Sequence, residues 1–277
     1  MKIYISADIE GVAGVVSPAQ TVVAGFEYDN ARKWMTGEVI AACEGAHEAG
    51  AEEIIVSDSH GNGQSLLIDL LPDYVRVVRN WPRPLQMMQG VETEGVAGAF
   101  LLGYHTGHHH SEGVLAHTTS GLLYTELRLN GRLASETTIS AAIAAHFGIP
   151  TIFASGDDAY IRHAKEELGS DIAVVETKRA YGRYSAISLT PVVAQTKIRE
   201  AAKQAVKELS VFQAKPVQTP ITLEADFQRH IPAELMNYLP GITRTGARTI
   251  MFQGADMVEV SKLIAFMTSV RFDEQLP

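Results

Sequence analysis

The chain has 277 residues, 46% of them hydrophobic, with one cysteine and 23 Lys+Arg against 32 Asp+Glu, a formal net charge of -9. That length supports a sizeable core in one large domain or two ordinary ones, and an acidic balance without a basic block argues against nucleic acid or an anionic membrane as partner. The lone Cys43 cannot form an intramolecular disulfide and is expected to be a buried structural thiol; with no apolar signal core before Asp8, the cytoplasm is the expected compartment.

In chain order, residues 2–7 (KIYISA) read as an apolar strand that stops at two carboxylates, Asp8 and Glu10. A helix is expected over 30–49, a strand over 53–57 ending in Asp58 and His60 (SDSHG), and a strand over 99–102 ending in His105 (LLGYH). His108, His109 and His110 follow Gly107 in what reads as a solvated loop over the site, able to gate entry. Residues 122–133 alternate and carry Asn130-Gly131, so an inserted hairpin is expected near 113–134. The stretch 137–156 lacks Asp, Glu, Lys and Arg and approaches a membrane span in length, but Gly148 and Pro150 divide it into a buried helix (136–147) and a buried strand (151–154). Asp157 and Asp158 either cap a helix over 160–168 or orient a ligand histidine; Lys178, Arg179 and Arg183 in 176–186 read as a basic loop, solvated or holding a substrate carboxylate. A helix over 191–209, the linker FQAKPVQTP, the strand ITLEADF, a helix near 231–238, the strand TRTGARTIMFQG and a helix over 257–269 complete the chain.

Strands alternating with helices imply parallel pairing, so the expected fold is α/β: a doubly wound, mostly parallel sheet (α/β/α) over 1–209, a metal-binding catalytic domain, with a smaller α+β unit over 210–277. Ligands in such sheets bind beyond the carboxyl ends of the strands, where three strand ends here deliver donors. Asp8 and Glu10, two apart on an extended chain, point to one side, and paired carboxylates hold a proton unless a cation sits between them. With His60 and His105 added, a cation is the simpler reading. Glu136, behind a capping Ser135, is either a further ligand or a residue that complements the helix dipole. His117, in GVLAHTTSG, is either a hydrogen-bonded core histidine or a proton carrier. Imidazoles and carboxylates without thiolates suit zinc, but also manganese, cobalt or iron.

The blocks ADIEG, DSHG, LLGYH and AHT, a Glu just after the hairpin, and TGARTIMFQGADM together resemble the metal-dependent D-aminopeptidases, peptidase family M55, along most of the chain. The resemblance implies a dinuclear zinc centre, two divalent ions per subunit, with Asp8 as bridging carboxylate, Glu10, His60, His105 and Glu136 as the other ligands, and His117 as the catalytic histidine. It further implies removal of the N-terminal residue from short peptides or amino-acid amides by a metal-activated water, a preference for D residues, and a ring-forming homo-oligomer with enclosed sites. The alternatives are a metal-dependent amidase on a non-peptide amide, a non-catalytic peptide- or metal-binding accessory protein of peptide uptake, and, less well suited, a phosphoesterase. Neither GxSxG, HExxH nor GxxxxGK[ST] occurs in the chain.

Overall fold

In the computed structural model, which describes residues 1–272, the first strand, β1 (Lys2–Ala7), is buried on both faces from Ile3 onward. Ile3, Ile5 and Ala7 enter one hydrophobic cluster and Tyr4 enters another, as the two-residue period of a strand requires. The chain continues through α1 (Tyr28–Glu48), β2 (Glu53–Asp58), β3 (Val75–Val78) and β4 (Val96–Leu102). Next come the hairpin β5 (Tyr124–Leu129) and β6 (Arg132–Leu133), α2 (Glu136–His146), β7 (Thr151–Asp157) and α3 (Asp158–Leu168). The remaining elements are β8 (Ala173–Gly182), β9 (Ser185–Ser188), α4 (Pro191–Lys207), β10 (Ile221–Phe227), α5 (His230–Met236), β11 (Ile242–Arg244), β12 (Thr249–Gly254) and α6 (Met257–Ser269).

Seven strands form one sheet in the order β3-β2-β1-β4-β7-β8-β9, parallel except for β9. The α/β reading therefore holds. From β1 the chain winds outward to β2 and β3, then returns to place β4 on the other side of β1. The winding reverses there, and the diverging loops leave a crevice beyond the β1 and β4 ends. Helices α1 and α4 cover one face, together with Ile54, Val56 and Phe100; α2 and α3 cover the other.

A second, antiparallel sheet has the order β11-β12-β10-β5-β6. The predicted hairpin is its edge: Asn130 and Gly131, both at positive φ, make the turn, and Leu127 and Leu129 lie opposite Ala225 and Leu223 of β10. Alternate β10 residues, from Ile221 to Phe227, are buried in the cluster that also holds α2 and α6.

Several expectations need correction. Residues 176–186 are not a loop but the strand pair β8–β9, and Lys178 is 2% exposed. Charges in a strand at the sheet margin erase the apolar run by which a buried strand is recognised. The segment TRTGARTIMFQG is two strands, β11 and β12, bridged through Gly246, not one. β3 was not foreseen, its Val75–Val78 run being short and interrupted by Arg76. Asp157 caps α3, accepting the Tyr160 amide at 2.7 Å, and Asp158 accepts from Ala180 and Arg162; neither meets a histidine. Cys43 is buried in α1, as expected. Among the described residues no helix is long and apolar enough to cross a membrane.

Two glycines let β1 and β4 converge beyond their ends. The Gly11 amide donates to Gly103 O at 2.7 Å, and a Cβ on Gly11 would lie 2.1 Å from the Tyr104 carbonyl oxygen. Gly103 itself sits at φ +70, and a Cβ there would lie 2.3 Å from the Asp8 carbonyl. Gly103→Ala is thus expected to cost about 2–4 kcal/mol through combined backbone strain and overlap. Urea unfolding measures this, and an unchanged midpoint would refute the close approach.

Candidate metal centre

Three neighbouring strands deliver the predicted donors to one point. Asp8 and Glu10 follow β1, His60 follows β2 and His105 follows β4. Glu136 opens α2, whose start is set by Ser135: its Oγ accepts the Thr138 amide at 3.2 Å. The Glu136 side chain nonetheless turns into the site, so capping by Ser135 and an inward-facing Glu136 coexist. His117 arrives on the loop between β4 and β5.

The Asp8 carboxylate faces two ways, with Oδ1 3.2 Å from His60 Nδ1 and Oδ2 3.3 Å from His105 Nε2. Glu10 Oε2 lies 3.1 Å from His60 Nδ1, and Glu136 Oε2 lies 3.3 Å from His105 Nε2. His117 Nε2 is 3.6 Å from Glu136 Oε1, and its ring stacks on His105 with centroids 4.1 Å apart. Two donor groups result, Asp8–Glu10–His60 and His105–His117–Glu136, in each of which one ligand atom per residue falls within 4.8 Å of the others.

The outer nitrogen of each histidine decides what the inner one can do. His60 Nε2 donates to Thr21 O at 2.6 Å, His105 Nδ1 to Thr106 O at 2.9 Å, and His117 Nδ1 to Leu115 O at 2.9 Å. In the neutral rings this leaves an unprotonated nitrogen turned toward carboxylate oxygens. His105 Nε2 and Glu10 Oε2 are buried with no hydrogen-bond partner among the described residues. Lone pairs facing lone pairs in a dry site repel unless a cation lies between them. The donor set, its outer hydrogen bonds and its burial all fit a divalent metal.

Electrostatics agree. Burial alone would raise the Asp8 carboxyl, but the imidazoles of His105 and His60 overcome it and hold it well below the usual range. Glu136 is likewise lowered, burial being outweighed by His105 and His117. Burial opposes charging of His60 and His105, yet the carboxylates around them, Glu10 and Asp8 for the first and Glu136 and Asp8 for the second, raise both well above the ordinary imidazole range.

The donors open onto a cleft of about 480 Å³, walled by Trp81, Met87, Ala265 and Thr268. His117, 24% exposed at the side chain, lines it, whereas His105 is 1% exposed. Trp81 is held by its Nε1–H to Gly61 O and by the Arg83 guanidinium 4.2 Å from its ring. None of these wall residues was visible in the sequence, because they come from a loop after β3 and from α6, far apart in the chain. Nor was Thr119, whose amide donates to Glu136 Oε1 at 2.7 Å, or the carbonyls behind the histidines; backbone partners carry no residue-type signal. Asp58 turns away, accepting the Leu66 amide. The His108–His110 loop is half buried, not solvated: His110 Nε2 meets His163 Nδ1 at 3.1 Å, and His163 Nε2 meets Ser135 Oγ at 2.7 Å.

The D-aminopeptidase family, peptidase family M55, matches residues 1–266. The chain belongs to that family. A D-aminopeptidase of Bacillus subtilis (strain 168) is 27% identical over 274 residues, covering 98% of this chain and 97% of that protein. The solved structure of the Zn-dependent D-aminopeptidase DppA from Bacillus subtilis, a self-compartmentalizing protease, superposes with a TM-score of 0.93 at 25% identity over 100% of both chains. A metallopeptidase hydrolase on an α/β fold is what this membership establishes.

Stability of the metal-free protein should follow the four shifted groups. The raised His60 and His105 contribute fully below about pH 6.5 and lose their contribution as pH rises through their elevated values; the lowered Asp8 and Glu136 contribute above about pH 4 and lose it as pH falls. A divalent cation needs deprotonated imidazoles, so the stabilisation it confers grows with pH. Thermal melts with and without chelator from about pH 5 to 8.5 should therefore diverge upward; coincident melts at all pH values would exclude a cation from this site.

Proposed function

We propose that this protein is a zinc-dependent aminopeptidase that removes the N-terminal residue from short peptides or amino-acid amides, favours D residues, and uses two divalent ions per subunit. Asp8 is assigned the bridging role, since its two oxygens face different histidines; Glu10 and His60 serve one half of the centre, His105 and Glu136 the other. The observation that carries this reading is the set of inner imidazole nitrogens, each turned toward buried carboxylate oxygens at 3.1 to 3.6 Å. The zinc dependence of the structurally similar DppA supports the choice of metal.

When bound, such ions polarise an amide carbonyl and acidify water, the chemistry that amide hydrolysis needs. The chain does the rest. His117 holds its Nδ1 proton against Leu115 O, so Nε2 is the nitrogen that accepts a proton and passes it to the leaving amine. Stacking on His105 fixes the ring plane, and the backbone that carries it is constrained on both sides by Leu115 and Thr119, both at positive φ. Glu136 is oriented by the Thr119 amide, which occupies Oε1 and leaves Oε2 toward His105. Trp81, Met87 and Ala265 exclude water from one side of the cleft.

By extension from the self-compartmentalizing relative, we assign this chain to a homo-oligomer closed as a ring, with no nucleic acid or membrane partner. Exposed apolar side chains at Val22, Val23, Phe26, Tyr181 and Ile187 support buried subunit contacts. A single buried thiol suits the cytoplasm.

The test is hydrolysis of D-Ala and L-Ala p-nitroanilides by chelator-stripped protein reloaded with zinc, manganese or cobalt. Metal-restored, D-selective turnover is expected, with His117→Ala lowering kcat by roughly 10²–10⁴ while metal content stays unchanged. Metal uptake without turnover of either isomer would move the assignment to an amidase or a binding protein.

A further inference from the structure

Between Glu10 and Val15 the chain crosses the carboxyl edge of the sheet in neither helix nor strand, and its polar backbone atoms are taken up by side chains from elsewhere. The Ala13 amide donates to Glu38 Oε1 of α1 at 2.9 Å, the Gly14 amide to Ser188 Oγ of β9 at 2.8 Å, and Thr177 Oγ1 of β8 donates to Gly11 O. The largest share falls to Lys178. Its ammonium, on a side chain 2% exposed, donates to three carbonyls, those of Glu10, Val12 at 2.8 Å and Val15 at 2.6 Å.

A buried ammonium is costly unless all three of its N–H groups are used, and here they are. Charge-assisted donors are also about twice as strong as neutral ones, so three carbonyls converging on one point favour Lys over a neutral amide. Methionine would fill the volume and leave three carbonyls unpaired; arginine would keep the charge but spread its donors in a plane. The nearby charges acting on Lys178 are Asp157, Glu38, Glu10 and Asp8, all negative, so the ammonium also offsets part of the carboxylate repulsion on the β1 side of the centre. The other half, His105 and Glu136, is carried by the end of β4 and the start of α2, whereas the hydrogen bonds of the Lys178 ammonium go to the loop after β1.

We infer that Lys178 is a positioning residue of the centre: by clamping the carbonyls of Glu10, Val12 and Val15 it fixes the loop that presents Glu10, and so sets the metal affinity of the Glu10–His60 half. The inference rests on the metal-centre reading above. It separates the two halves, one dependent on a buried cation and the other not.

Zinc titration of chelator-stripped protein, with a competing chelator as indicator, tests it. Wild type should take up two equivalents. Lys178→Met should keep one at wild-type affinity and weaken the other by about 10–100-fold, the range seen when an outer-shell partner of a metal ligand is lost. Leu223→Ala, a core variant of β10 distant from the loop, controls for general destabilisation and should retain both. Should the methionine variant fail to fold, Lys178→Arg carries the same readout with a smaller weakening in the same half. Hydrolysis of D-Ala p-nitroanilide by either Lys178 variant should recover at high buffered free zinc, unlike that by His117→Ala. Two unperturbed equivalents in Lys178→Met, or equal loss from both halves, would overturn the proposal while leaving the metal centre standing; no uptake by wild type would overturn the metal-centre reading itself, and this one with it.

Discussion

The arrangement around Asp8 depends on the mutual repulsion of closely buried carboxylates, which a positive charge among them must offset. Three carboxylates are buried beside imidazole nitrogens whose own protons have been committed to the carbonyls of Thr21, Thr106 and Leu115. Among the described residues Glu10 Oε2 and His105 Nε2 make no hydrogen bond, although they face His60 at 3.1 Å and Asp8 and Glu136 at 3.3 Å. Such a site is stable only with a proton or a metal at its centre, and the scaffold serves to hold the donors in place against that repulsion.

How it does so follows from the topology. Donors from β1, β2 and β4 converge because these strands are neighbours at the point where the winding reverses, and because Gly11 and Gly103 let two backbones approach more closely than any Cβ would allow. Beyond the strand ends the chain is irregular, and an irregular buried backbone must find partners elsewhere. The loop after β1 finds them in Lys178, Thr177, Ser188 and Glu38; the loop between β4 and β5 finds them in Thr118 and Asp157, which accept the His108 and Val114 amides. Burial raises the Glu38 carboxyl to about 7, a sign that the loop is held by groups taken well out of water.

The second sheet completes the site rather than standing apart from it. Its hairpin lies between the His117 loop and α2 in the sequence, and its helix α6 supplies Ala265 and Thr268 to the cleft wall opposite Trp81. Asp8, His60 and Glu136 reach the cleft with little exposed surface and His105 is fully buried, whereas His117 is the most exposed of the set. That division suits the proposed roles, a metal site that keeps its ions and a proton carrier that must meet each new substrate.

The sequence by itself determined the parts whose signals are local. β1, β2, β4 and β7 are legible as apolar runs, the hairpin as Asn130-Gly131, and the donors Asp8, Glu10, His60 and His105 as carboxylates and imidazoles standing where apolar strands end. Glu136 and His117 were ambiguous locally, since a helix start and an apolar stretch each offered an ordinary role; only the motif order along the chain singled them out. Tertiary structure alone decided the rest. Lys178 looks like a charge in a basic loop until β8 carries it under the loop after β1, and Trp81 and Ala265 share a wall only because two sheets pack together. These depend on contacts between residues far apart in the chain and on backbone carbonyls that every residue possesses, so neither residue type nor periodicity could announce them.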